Sequence, residues 1–175
     1  MFNIAKKVTI ASTVAALFAG SAVAASQGNL GRSSNGSVDI RAHIPGLIKI
    51  SNLDDIDLGT WSGSGDLAGS DENCVWSTTR GYNLTASGSG AGNAFTITDG
   101  ANDIAYSVAW DDTDSTDQAV TVGTALSAQV TNAVSVNCAA RGDTANVAVT
   151  ISEADMAAAP AGTYNGTLTL IVAPE

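Results

Sequence analysis

The side chains able to do chemistry are few and scattered. The chain has a single histidine, His43. A serine-hydrolase triad needs a histidine held beside both a serine and a carboxylate, and His43 stands two residues from Arg41 on a segment with no rigid neighbour in sequence. The run Asp111-Asp112-Thr113-Asp114-Ser115-Thr116-Asp117 has the carboxylate density of a calcium loop. Counted from Asp112, however, Asp117 takes the position that needs glycine, and Gly123 takes the one that needs glutamate. It reads as an exposed acidic hairpin tip, with a cation site as the alternative. Asp54, Asp55 and Asp57 read as a solvated loop edge. No CxxC spacing and no phosphate-cradling loop occurs. The chain is therefore expected to be no enzyme, with no catalytic residues and no metal, nucleotide or organic cofactor.

Two kinds of residue remain. Cys74 and Cys138 are an even count in a chain that opens like an exported one, which argues for one disulfide between them. They stand 64 positions apart, and chain-entropy arguments give a loop of that size about 4 kcal/mol of stabilisation. Trp61, Trp76 and Trp110 could stack on sugar rings. Trp110 is in strand phase with Val108 and Tyr106, so it belongs to a core. Trp61, beside Gly63 and Gly65, is the best surface candidate for glycan contact.

The elements that must position these residues are strands. In Ser37-Val38-Asp39-Ile40-Arg41-Ala42-His43-Ile44, Val38, Ile40, Ala42 and Ile44 share one face and Asp39, Arg41 and His43 the other. That period of two predicts a strand with one buried face. Pro45-Gly46 breaks the chain after it, and residues 26–36 read as a flexible tether. Such a strand either opens a sandwich or is meant for another molecule's sheet.

Further strands are predicted at Leu47 to Ser51, with Asp54 to Thr60 as a continuation, and within Val75 to Ala86. Phe95 and Ile97 alternate ahead of an Asp99-Gly100 turn and a hairpin partner at Ile104 to Trp110. Val120 to Val122, Leu126 to Val136, Ala145 to Ile151 and Ala161 to Val172 complete the set. Ser152 caps a short helical run before Pro160. Short strands at this spacing predict an all-β, immunoglobulin-like sandwich.

Lys6 and Lys7, the apolar run Val8 to Gly20 and Ala22-Val23-Ala24 read as a signal peptide over residues 1–24. No later segment is apolar enough to span a bilayer as a helix. Without residues 1–24, five basic side chains face seventeen acidic ones, a net charge of −12. A surface of that sign repels nucleic acid and anionic membranes, so neither is an expected partner, and the mature chain is not expected to insert into a membrane.

Val38-Asp-Ile-Arg-Ala-His-Ile-Pro-Gly-Leu-Ile-Lys-Ile50 resembles the N-terminal segment of colonisation-factor type fimbrial subunits. Tyr106-Ser-Val-Ala-Trp110 is similar to a mid-domain strand of the same subunits. Pro160-Ala-Gly-Thr-Tyr-Asn-Gly-Thr-Leu-Thr-Leu-Ile-Val172 resembles their closing strand and that of spore-coat-U-like archaic pilins. The cysteine pair departs from the first family, and the absence of a cysteine before Cys74 departs from the second. The resemblance is thus to chaperone–usher pilins as a class. It implies an immunoglobulin-like domain, residues 47–175, that lacks a strand. It implies an N-terminal extension, residues 25–46, carrying the donor strand with Val38, Ile40, Ala42 and Ile44 as groove-filling side chains. It further implies a periplasmic chaperone, an outer-membrane usher, neighbouring copies of itself or related pilins as partners, and a place in a surface fimbria serving adhesion or biofilm formation. The alternative expectation is a secreted carbohydrate-binding sandwich.

Overall fold

The computed structural model describes residues 25–113 and 116–175. The expected signal peptide, residues 1–24, lies outside the described residues, as do Asp114 and Ser115 of the acidic run. The chain divides between His43 and Ile44.

In the first part, Ser26 and Ser37 exchange backbone hydrogen bonds of 2.9 and 3.0 Å in an isolated antiparallel bridge. The strand expected from Ser37 to Ile44 is not formed, because none of residues 38–44 belongs to a ladder. Alternation supplies a face, but a strand exists only where a partner takes its backbone groups. The apolar face expected to be buried is exposed: Val38 is 72% and Ile40 90% exposed, and Ala42 is exposed as well.

The second part is an antiparallel all-β sandwich. Its strands are β1 (Ile48–Ser51), β2 (Leu67–Ser77), β3 (Gly81–Gly88), β4 (Thr96–Thr98), β5 (Asp103–Ala105), β6 (Ser107–Asp111), β7 (Gln118–Val120), β8 (Leu126–Val130), β9 (Ala145–Ile151) and β10 (Leu168–Pro174). One sheet runs β1-β2-β9-β6-β7 and the other β10-β3-β8, with β4 and β5 as a separate hairpin. Val75, Val108, Trp110, Val147, Val149 and Ile151 from the first sheet meet Tyr82, Leu84 and Ala86 from the second in one core. Each set recurs at every second residue, as a half-buried strand requires.

Several boundaries differ from expectation for local reasons. Asp54 to Thr60 does not continue β1. Asn52 takes a left-handed backbone (φ +61) that ends the strand, and its Nδ2 donates to Asp143 Oδ1 at 2.7 Å. Asparagine tolerates that conformation better than most residues. β8 stops at Val130, because Thr131 turns its hydroxyl onto the carbonyl of Val75. The closing strand starts at Leu168, not Ala161. Before it, Tyr164 donates its hydroxyl to the Pro160 carbonyl at 2.8 Å and Asn165 bridges Thr98. The short helix α1 (Glu153–Ala158) is as expected. Ser152 Oγ accepts the Asp155 N–H at 3.2 Å, and Glu153 and Asp155 in the first turn suit the positive end of the helix.

Cys74 and Cys138 are bonded, with Cα atoms 5.8 Å apart. Both are buried, and with Ala133 and Trp76 they form a small second cluster on the outward side of β2. The β2–β9 ladder ends at Asn73, and beyond it Thr144 takes over. Its N–H donates to the Asn73 carbonyl at 2.9 Å, and its hydroxyl donates to the Val75 carbonyl at 3.0 Å. The disulfide holds this substitute edge in place.

Candidate functional site

β1 and β10 are the outer strands of their two sheets, and they lie on the same flank of the sandwich. Ile48 and Ile50 of β1 sit opposite Ser77 and Val75, both buried, so they point inward. Leu168, Leu170 and Val172 of β10 sit opposite Gly88, Ala86 and Leu84, and point inward by the same rule. Yet all five of these aliphatic side chains are only half-buried. The inward residues of central β9, by contrast, are all buried. Among the described residues, no ladder pairs the second edge of β1 or of β10. The flank is a row of half-buried aliphatic side chains between two unpaired strand edges.

The flank has a shaped rim. At one end the chain entering β1 passes close to the end of β10: a Cβ on Gly46 would lie 3.6 Å from Pro174 Cγ. On the β1 side, the non-ladder segment after Asn52 turns Ile56 and Leu58 inward against the core. These two fill the space over Gly69, where a Cβ would come within 2.8 Å of Ile56 and 2.9 Å of Leu58. A side chain at position 69 would have to displace them. Asp55 and Asp57 alternate with them, and all three aspartates, Asp54 included, stay exposed.

Asp71 lies on the inward face of β2 beside this rim. Burial pushes its carboxyl above the ordinary value, partly opposed by the Asp54 backbone N–H, and the charges of Asp54, Asp143 and Glu72 push it further up.

The other expected site residues are placed as follows. Ile44, the last apolar residue of the tethered segment, is 76% exposed. Trp61 is half-buried, and its Nε1 donates to the Gly65 carbonyl at 2.8 Å, so its polar edge is spent closing its own loop. Trp76 packs against the disulfide, and Trp110 is fully buried in the main core.

The acidic run is not simply an exposed tip. Asp112 is buried, and its Oδ2 accepts the Val130 N–H at 2.6 Å. A carboxylate accepting a backbone N–H next to a ladder end anchors β8 to the β6–β7 turn. A polar cleft of about 570 Å³ opens beside it, lined by Glu72, Asp111, Asp112, Asp143 and Arg141 among others. None of its lining residues is aromatic. Ile56 and Leu58 are not singled out by the sequence, which reads Asp54 to Thr60 only as a continuation of β1 and the aspartates among them as a loop edge. The signal available was the alternation Asp55-Ile56-Asp57-Leu58.

No family model matches this chain, and no curated protein matches it. Among solved structures it is similar to a chain from a chaperone–tip adhesin complex described as vital for activation of CFA/I fimbriae biogenesis. The similarity covers 73% of this chain and 42% of that one, at 14% identity and a TM-score of 0.50. The chain thus spans about two fifths of the length of the structure it matches, and the likeness is one of fold.

Proposed function

We propose that this protein is a structural subunit of a surface fimbria, exported by a signal peptide, that polymerises by lending its N-terminal strand to the groove of a neighbouring subunit. It does no catalysis. A periplasmic chaperone fills the groove during export, and an outer-membrane usher exchanges that filling for the next subunit's strand. The observation that carries this reading is the half-burial of Leu168, Leu170 and Val172 beside an unpaired edge. A sandwich that buries every inward residue of β9 yet leaves those of β10 half open has room for one more strand. The same chain holds an unpartnered apolar face at Val38, Ile40 and Ile44. Burying each of those side chains contributes roughly 1.5–3 kcal/mol, before ordering costs. Main-chain pairing satisfies the open edges at the same time. The similarity in fold to a chain of a fimbrial chaperone–adhesin complex supports the class.

Electron microscopy of cells carrying Ile40→Asp tests the reading, with circular dichroism of the purified variant as the folding control. A buried charge without a partner is strongly disfavoured, so filaments should be lost while the Cys74–Cys138 domain stays folded. Normal filaments from that strain overturn the proposal.

A further inference from the structure

The two halves of the proposed strand exchange differ sharply in charge. Residues 25–44 carry Arg32, Arg41 and Asp39, a net charge of +1. Residues 45–175 carry Lys49, Arg80 and Arg141 against sixteen acidic side chains, a net charge of −13. Part of that negative charge lies on the rim of the groove. Asp55 and Asp57 are exposed and alternate with Ile56 and Leu58, whose side chains turn into the core. In a strand whose apolar face enters the groove, Asp39, Arg41 and His43 face out, on the side to which the rim aspartates project.

Resting on the strand-exchange reading above, we infer that the N-terminal extension of a second copy is steered into the groove electrostatically, by Arg41 on the extension and by Asp55 and Asp57 on the rim. The apolar side chains then set how long it stays. Charges that remain partly solvated act on encounter more than on residence. The attraction between a cationic segment and a strongly anionic domain raises the association rate and weakens as salt shortens the Debye length. The rim charge also sorts partners, because an acidic extension would be turned away from this groove.

The experiment uses the mature chain and a fluorescein-labelled synthetic peptide of residues 25–44. Association is followed by stopped-flow anisotropy, and dissociation by dilution. The association rate is expected to fall about tenfold between about 20 mM and about 500 mM NaCl, with dissociation nearly constant. At low salt the Arg41→Glu peptide should associate about tenfold more slowly. The double variant Asp55→Lys, Asp57→Lys should restore the rate of that peptide while slowing the natural one. Because Asp57 Oδ1 also accepts the Gly59 N–H at 2.8 Å, the pair Asp55→Asn, Asp57→Asn serves as a second test that keeps this bond. It should slow the natural peptide and lose most of the salt dependence.

A peptide that binds at a rate indifferent to salt and to Arg41→Glu overturns the steering and leaves the strand exchange standing. A peptide that fails to bind at any salt overturns both.

Discussion

The indole N–H of Trp110 donates to the phenolic oxygen of Tyr82 at 3.1 Å, and both side chains are fully buried. Trp110 belongs to β6 and Tyr82 to β3, so the bond ties one sheet to the other through the core. Burial pushes the Tyr82 hydroxyl well above its ordinary value, opposed in part by the Trp110 hydrogen bond, so it stays neutral in the core. The two sheets are thus tied at the centre of the sandwich, while the aliphatic side chains of its β1–β10 flank are only half-buried.

Tyr82→Phe removes the acceptor and leaves the Trp110 N–H buried without its partner. The expected cost is about 1–3 kcal/mol, the penalty of an unsatisfied buried donor. Urea unfolding followed by tryptophan fluorescence measures it. An unchanged midpoint would mean that the bond contributes nothing net.

The disulfide closes a long loop and holds the Asn132–Thr144 segment against β2. Cys74→Ala with Cys138→Ala should lower stability by about 4 kcal/mol in the chain-entropy view. The loss should be greatest locally, at the N–H of Thr144, which is bonded to the Asn73 carbonyl only while the segment stays docked. Hydrogen exchange with and without reductant reads both effects. Two free thiols in the native, unreduced protein would contradict the bonded arrangement.

Two carboxylates should respond to acid with opposite sign. Asp99 is held down to about 2, first by the Asn102 side chain and then by the N–H groups of Ala101 and Asn102. Its contribution to stability is present above the unfolded value and is lost as pH falls through the folded one. Asp71 is raised by burial, so its folded form prefers the proton. Its ionisation weakens the fold as pH rises through the folded value, and the strain is relieved below the unfolded one. Carbon-detected NMR should therefore place the Asp99 midpoint near 2 and the Asp71 midpoint above the ordinary aspartate value. Asn102→Ala should bring the first back up, and Asp71→Asn should raise the melting temperature at neutral pH.

The legibility of this fold in sequence follows the strength of its alternation. Val147, Val149 and Ile151 declare β9, and Ser152 with Asp155 declares the helix start. β2 shows in the sequence only from Val75 onward, because its inward row includes Leu67, Gly69, Asp71 and Asn73. Glycine and polar residues there hide the period of two. Gly69 is small for the sake of Ile56 and Leu58, a tertiary reason no local pattern carries. Asp112 looked like part of a solvated charge run, and only the fold brings the Val130 N–H to it. The donor half of the proposed exchange is legible as a pattern, since Val38, Ile40 and Ile44 alternate plainly. The proposed receiving half is not, because the half-burial of β1 and β10 is a property of how two sheet edges meet rather than of either strand.

Adjacent residues of β10 give the sharpest test of that receiving half. Leu170 points inward and is half-buried, while Ile171 points outward and is 59% exposed. Both are aliphatic, and both share the ladder with β3, opposite Ala86 and Thr85. Leu170→Asp places a charge where an incoming strand would have to bury it, at a cost that solvent can no longer offset. Ile171→Asp leaves the charge in water and should be tolerated within about 0.5 kcal/mol, as surface changes usually are. A subunit with Leu170→Asp should therefore fail to receive a strand but still donate its own. Mixed with unaltered subunits, it should cap growing filaments and shorten them in proportion to its share, whereas the Ile171→Asp subunit should leave filament length unchanged. Filament lengths by electron microscopy across a mixing series measure this, with circular dichroism as the folding control for each variant. Equal lengths for the two variants would mean that the face of β10 carrying Leu170 is not where subunits join.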